Sequence, residues 1–230
     1  MEDVVKKLPM IDFKLLSALE LMPEEQKKEW DDYVLQQEKK LQNIACDKNY
    51  KSCGIGEEYF TWNMNKLPED DIKKTARHYF SVVTGGGKAN LLCFGDTGTG
   101  KTTLIASLLN QFAHTVKEEV YGLKVFYSIR YMTSKDICTR LKQAEAFNPI
   151  ETRAEVLRDI LSCDVIAIDE IGRHSDQAEK EYLFSIIDLC NQNHKSIMLA
   201  TNLSEQTLKE HLGVAILSRL NSACGLHVAN

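Results

Sequence analysis

The 230-residue sequence lacks several things that would have settled its class at once. It has no apolar run near the ~18 residues that a membrane helix needs. Its N-terminus, MEDVVKKLPM, carries early acids and no apolar stretch of the kind a secretory leader requires. It has no excess of basic residues: 28 Lys and Arg face 33 Asp and Glu, for a net charge of −5. That excludes a strongly basic nucleic-acid coat, although not a local basic site. No internal repeat and no low-complexity stretch is present. No pair of cysteines has CxxC spacing.

The seven cysteines stand at 46, 53, 93, 138, 163, 190 and 224. Several lie inside apolar runs, such as Cys93 in NLLCF. They read as reduced, buried small hydrophobes in a reducing compartment. A zinc site at Cys46 and Cys53 would need a second pair, and none follows. Apolar residues at 43% and charged residues at 27% are ordinary for a globular protein. A chain of this length predicts one domain with an extension, or two small domains.

The first 50 or so residues predict helices without a core. Pro23-Glu24-Glu25 is a helix start, because proline lacks only an N–H without an intrahelical partner and acids suit the dipole. Trp30, Val34, Leu41 and Ile44 then form a narrow apolar seam on a charged helix, with Gln37 between Val34 and Leu41. Ile11, Leu15, Ala18, Leu19 and Met22 make a shorter stripe upstream. Either the two helices pack on each other or on the main domain, or the seam docks another protein. Residues 46–67 show little periodicity and read as a connector. Pro68-Glu-Asp-Asp opens a helix with Ile72, Ala76, Tyr79, Phe80 and Val83 on one side, ending at Gly85-Gly86-Gly87.

From there strands and helices alternate. Strands are predicted over 90–94, 123–129, 164–168, 196–201 and 226–229. Helices are predicted over 101 to about 116, 134 (capped by Ser134) to about 146, 151–162, 179–193, 204–212 and 214–220. Alternation of this kind requires crossover connections and hence a parallel sheet.

Directly after the first strand stands GDTGTGKT, residues 95–102, a full match to G-x-x-x-x-G-K-[ST]. Gly95, Gly98 and Gly100 let the backbone turn so that successive N–H groups point at phosphate oxygens. The helix N-terminus adds its positive dipole end. Lys101 can reach the β- and γ-phosphates, and the Thr102 hydroxyl can ligate Mg²⁺. The cofactor-binding set is therefore Gly95, Asp96, Thr97, Gly98, Thr99, Gly100, Lys101, Thr102 and Thr103. Such a site needs a carboxylate on a neighbouring strand. VIAI, residues 165–168, ends in Asp169 and Glu170. Asp169 is placed to hold Mg²⁺ through water, and Glu170 to polarise an attacking water. The apolar strand Ile197-Met-Leu-Ala ends in Thr201-Asn202. Asn202 is either the amide that positions the water against the γ-phosphate or a turn residue before the next helix. Arg219, late in a short apolar helix, is either a surface salt-bridge arginine or a cation offered to a neighbouring subunit. Spacing alone does not decide.

GDTGTGKT, DVIAIDEIG, LATN and LGVAILSRL together resemble the AAA+ ATPases of the DnaC type, the replicative-helicase loaders, with IstB-type transposition helpers as close relatives. The resemblance covers about residues 54–230. It implies a three-layer α/β P-loop core with a five-stranded parallel sheet, without the C-terminal lid, plus a small N-terminal helical region. It implies a helicase-binding region at 1–50, a connector at 51–67 and the ATPase domain at 68–230. ATP and Mg²⁺ are the implied cofactors. Lys101 and Thr102 would serve nucleotide and metal, Asp169 and Glu170 the metal and the water. Asn202 would sense the γ-phosphate, and Arg219 would be a finger acting in trans between assembled subunits. The family often has a further arginine four residues before that finger. Here it is Ala215, which suggests slow, partner-stimulated hydrolysis. The implied partners are a hexameric replicative helicase and single-stranded DNA, in the cytoplasm of a bacterium or phage-infected bacterium. The expected DNA contacts are Arg173, His174 and Lys180, with Ser175 and Tyr182 the nearest hydroxyl and aromatic groups. An IstB-like transposition helper and a slowly hydrolysing ATP-clamp adaptor remain the alternatives.

Overall fold

The computed structural model describes residues 23–121, 123–173, 177–221 and 225–229. The chain divides into two compact units, Met1–Ala45 and Cys46–Asn230. Helix α1, Glu24–Lys51, supplies the described part of the first unit. Acids Glu24 and Glu25 occupy its first turn, and Lys48 and Lys51 its last, each matched to the helix dipole. Trp30, Tyr33, Leu41 and Ile44 are exposed along it, and the rings of Trp30 and Tyr33 lie 5.9 Å apart. The upstream stripe from Ile11 to Met22 lies outside the described residues.

The second unit begins inside α1. Cys46 and Tyr50 are buried, and so are Cys53, Ile55 and Met64 in the stretch expected to be a connector. Their irregular spacing, in a segment with only short 3-10 turns at Glu57–Tyr59 and Met64–Lys66, hides this from a periodicity reading. Helix α2 (Asp71–Thr84) starts where the Asp70 carboxylate accepts from the Lys73 amide, and it buries Ala76, Tyr79 and Val83. Strand β1 (Asn90–Phe94) is wholly buried and feeds helix α3 (Lys101–Ala113).

The region expected to hold one strand at 123–129 differs. Strands β2 (Val116–Val120) and β3 (Leu123–Phe126) form a separate antiparallel pair, and β4 (Ile129–Thr133) enters the main sheet. Helix α3 accordingly ends at Ala113, short of 116. Helix α4 (Ser134–Ala144) is capped by Thr133 instead of Ser134, through a capping box with Asp136. Helix α5 (Arg153–Leu161) opens with the same device, Thr152 and Glu155. Then follow β5 (Val165–Ile171), α6 (Gln177–Gln192), β6 (Ser196–Thr201), α7 (Glu205–Leu212), α8 (Val214–Asn221) and β7 (Gly225–Ala229).

The main sheet has five strands in the order β4-β5-β6-β1-β7, and every neighbouring pair is parallel. Strands β1, β5 and β6 are buried on both faces, which explains why they read as continuous apolar runs. Successive residues alternate between two cores. Leu91, Cys93, Val165, Ala167, Met198 and Ala200 join Tyr79, Leu108 and Phe112 of α2 and α3. Leu92, Phe94, Ile166, Ile168, Ile197 and Leu199 join Ile137, Leu141, Ile160, Leu183 and Ile186 of α4, α5 and α6. Helices on both sides of one parallel sheet make three layers. Cys46, Cys53, Cys93, Cys163 and Cys190 are buried free thiols, and Cys138 is partly buried. Burial pushes the Cys93 and Cys190 thiols up to about 12, so they stay protonated and unreactive at neutral pH. Cys224 lies outside the described residues. Among the described residues, no helix is long and apolar enough to cross a membrane.

Candidate nucleotide site

Three adjacent parallel strands, β1, β6 and β5, deliver the site from their C-terminal ends, the position where open α/β sheets bind ligands. After β1 the chain turns through Gly95 (φ 141°), Gly98 (φ 88°) and Gly100 (φ 89°) before α3 begins. A side chain at 98 or 100 would have open space but a strained backbone, so glycine is required there by conformation. Lys101 Nζ donates to the carbonyls of Gly95 at 2.6 Å and Asp96 at 2.8 Å, which folds the ammonium over the loop.

Thr102 Oγ1 donates to Asp169 Oδ2 at 2.7 Å. Asp169 is 3% exposed, and its other oxygen, Oδ1, accepts from the Glu170 amide at 2.6 Å. A hydroxyl and a carboxylate this close, at the end of a phosphate-binding loop, are the hard oxygen donors that Mg²⁺ takes alongside nucleotide phosphates. Glu170 has φ 59°, a left-handed conformation uncommon for a residue other than glycine. The Ser134 hydroxyl donates to its carbonyl at 2.9 Å. Its carboxylate is ion-paired with Arg173. Asn202, just past β6, reaches across with its Nδ2 3.3 Å from Thr97 Oγ1.

These groups enclose a cavity of about 200 Å³ lined by Thr97, Lys101, Thr102, Asp169, Glu170 and Asn202. The structure thus brings together the loop, Lys101, Thr102, Asp169, Glu170 and Asn202. It does not bring Arg219 to them. The Arg219 guanidinium pairs with Asp188 at 2.6 Å, donates to the Ala215 carbonyl at 3.1 Å, and lies 5.0 Å from the Phe184 ring centroid. Lys180 lines a different cavity, of about 570 Å³ and mixed charge, between α6, α7 and α8. His174 and Ser175 lie outside the described residues.

Three features carry no signal in the sequence. A second cavity, of about 290 Å³, adjoins the first through Gly100 and Thr103 and is walled by Trp62, Leu67, Pro68 and Ile72. An apolar slot beside a phosphate cradle suits a flat heterocycle. Tyr59 lines the phosphate cavity from the supposed connector. Tyr131, on β4, donates its hydroxyl to Asp169 Oδ2 at 3.0 Å. Burial, and then the Asp169 carboxylate, pushes the Tyr131 hydroxyl well above its ordinary value. It is therefore a donor at neutral pH. Beyond the cavity, Gly172 N donates to the buried Glu179 at 3.2 Å, and Glu179 also meets His211 at 3.2 Å.

A glycine cradle opening a helix, with a carboxylate at the end of β5 one strand removed from β1, defines a P-loop nucleotide-binding protein, and the five-stranded core is of the AAA+ type. The chain belongs to the family described as IstB-like ATP binding protein, whose model matches residues 31–228. A replicative helicase loader DnaC from Buchnera aphidicola subsp. Acyrthosiphon pisum (strain APS) is 26% identical over 172 residues, covering 73% of this chain and 66% of that protein. The chain thus spans slightly under two thirds of that relative's length. A crystal structure of the DnaC helicase loader superposes with a TM-score of 0.57 at 21% identity, over 75% of this chain and 99% of that one. AMPPCP-bound DnaA from Aquifex aeolicus gives 0.59 at 18%, over 76% and 51%. These two establish a shared fold.

Proposed function

We propose that this chain is an ATP-dependent helicase loader. It binds a hexameric replicative DNA helicase and helps to place it on single-stranded DNA in the bacterial cytoplasm. The observation that carries the nucleotide half is the convergence of Lys101, Thr102, Asp169, Glu170 and Asn202 on one cavity. ATP phosphates lie in the glycine cradle, and the base enters the slot at Trp62, Leu67 and Ile72. Thr102 and Asp169 hold Mg²⁺, Glu170 orients the attacking water, and Asn202 reads the γ-phosphate. The exposed Trp30, Tyr33, Leu41 and Ile44 of α1 support a helicase-binding region within residues 1–50, while 51–67, with Cys53, Ile55 and Met64 in its core, belong with the ATPase domain at 68–230.

Arg219 acts in trans. Its guanidinium lies outside its own phosphate cavity and would exchange its pair with Asp188 for a neighbouring subunit's nucleotide, so ATP favours self-assembly. Arg173, His174 and Lys180 contact DNA inside that assembly, where a few cations per subunit suffice. Mixing the protein with hexameric helicase and ATP tests the loader reading. A complex that forms with ATP and is lost on removal of residues 1–50 is expected. No complex, with or without those residues, would sink the loader role and spare nucleotide binding.

One observation favours a second reading, an ATP clamp that hardly turns over. The Glu170 carboxylate is occupied by Arg173. Equal ATPase rates for the wild type and Glu170→Gln would select the clamp. Assembly on duplex DNA, with no helicase complex, would instead select the transposition-helper alternative.

A further inference from the structure

Two independent sets of contacts meet at Tyr131. Its side chain reaches the site: the hydroxyl shares Asp169 Oδ2 with Thr102, at 3.0 and 2.7 Å. Its backbone is held by the segment that leaves α1. The Tyr131 amide donates to the Cys53 carbonyl at 2.7 Å. Gly54, at φ 104°, lies so close that a Cβ there would stand 2.4 Å from the Tyr131 carbonyl oxygen. The same segment is braced internally, since the Tyr50 hydroxyl donates to the Tyr59 carbonyl at 3.1 Å, and Tyr59 lines the phosphate cavity.

We propose that Tyr131 is a positioning residue for Asp169, and that the Cys53–Gly54 strap against it ties the metal side of the site to the end of α1. The proposal rests on the nucleotide reading above. When Thr102 turns to Mg²⁺, Asp169 loses one of its two side-chain hydroxyl donors. Tyr131 is the donor that remains, and it keeps the carboxylate turned to the metal. Because the strap and the hydroxyl act on one residue, a shift of the strap moves Asp169. By linkage, metal–nucleotide binding steadies the strap.

The test uses the full chain and a fluorescent ATP analogue, titrated with MgCl₂ and, separately, in EDTA. Tyr131→Phe keeps the ring and the backbone bond to Cys53 and deletes only the hydroxyl. It should raise the Mg²⁺ concentration at half-saturation at least ~10-fold, as expected for one hydrogen bond to a charged group. Binding in EDTA and metal-free thermal stability should stay close to wild type, a split that loss of packing would not produce. An unchanged or lower Mg²⁺ requirement overturns the positioning role. Gly54→Ala, which pushes on the strap outside the phosphate cavity, should shift the Mg²⁺ requirement in the same direction. Should that variant not fold, amide exchange at Tyr131 in the wild type gives the second reading. Added Mg²⁺–nucleotide should slow it, and unchanged exchange overturns the strap. A wild type that binds no nucleotide under either condition refutes the nucleotide reading itself, and the positioning role with it.

Discussion

Replacing Gly172 should press one turn at the edge of the site against another. Gly172 follows Asp169-Glu170 and has φ 81°, and a Cβ there would stand 2.4 Å from Leu203 Cδ1 and 3.0 Å from its Cγ. Leu203 in turn follows Asn202. Gly172→Ala therefore drives the turn after β5 against the turn after β6. The left-handed backbone costs about 1–2 kcal/mol for a non-glycine residue. Crowding Leu203 costs about 1–3 kcal/mol more. The sum, about 2–5 kcal/mol, is a large part of a typical stability of 5–15 kcal/mol. At ~2–4 °C per kcal/mol for a chain of this size, it corresponds to a fall in Tm of about 4–20 °C. The assay is urea unfolding of a double-mutant cycle with Leu203→Ala. With the leucine cut back, the cost of Gly172→Ala should drop to the backbone part, about 1–2 kcal/mol. An equal cost in both backgrounds would refute the contact as the reason for glycine here.

Lys101→Ala should abolish binding of ATP with little change in Tm, because among the described residues its ammonium bonds within the loop, and nucleotide titration beside thermal melting checks both. Glu170→Gln should keep ATP binding and lower hydrolysis at least ~100-fold, read as phosphate release. Arg219→Ala should leave binding by the single subunit intact and reduce hydrolysis only at concentrations where subunits assemble. Asp164 is partly buried, which alone would raise its pKa, yet Lys117 and the Ser128 amide and hydroxyl hold it below the ordinary value. A depressed carboxylate stabilises above its unfolded pKa and loses that as pH falls through the folded one. The stability gap between wild type and Asp164→Asn should thus be full near neutrality and close below about pH 4.

What the sequence reveals and what it hides follow from how local each signal is. The phosphate loop, Asp169-Glu170 and Asn202 were legible because each is a short run at a strand end, and the fold needs no more than alternation to place them. The slot at Trp62, Leu67 and Ile72 was not, since its walls come from irregular chain before β1. Tyr131 falls between the expected strand at 123–129 and the helix from 134, and it gains meaning only when β4 is set beside β5, in the register Thr133 to Asp169. The hairpin of β2 and β3 gives no sequence signal, because VKEEV is a short, exposed and charged strand with no buried face to mark it. Residues 46–67 looked like a linker because their core contacts, Tyr50, Cys53, Ile55 and Met64, follow neither a helical nor a strand period.

The pairing of β1 with β7 sets a timetable for synthesis. The strand that leads into the phosphate loop, Asn90–Phe94, takes as one neighbour Gly225–Ala229 and as the other Ile197–Thr201. Both arrive more than a hundred residues later. A nascent chain that has already exposed GDTGTGKT still lacks both flanks of the strand that holds it. ATP-binding competence should therefore arise abruptly and late, when residues 225–229 are free to pair with β1, and not when the loop itself emerges.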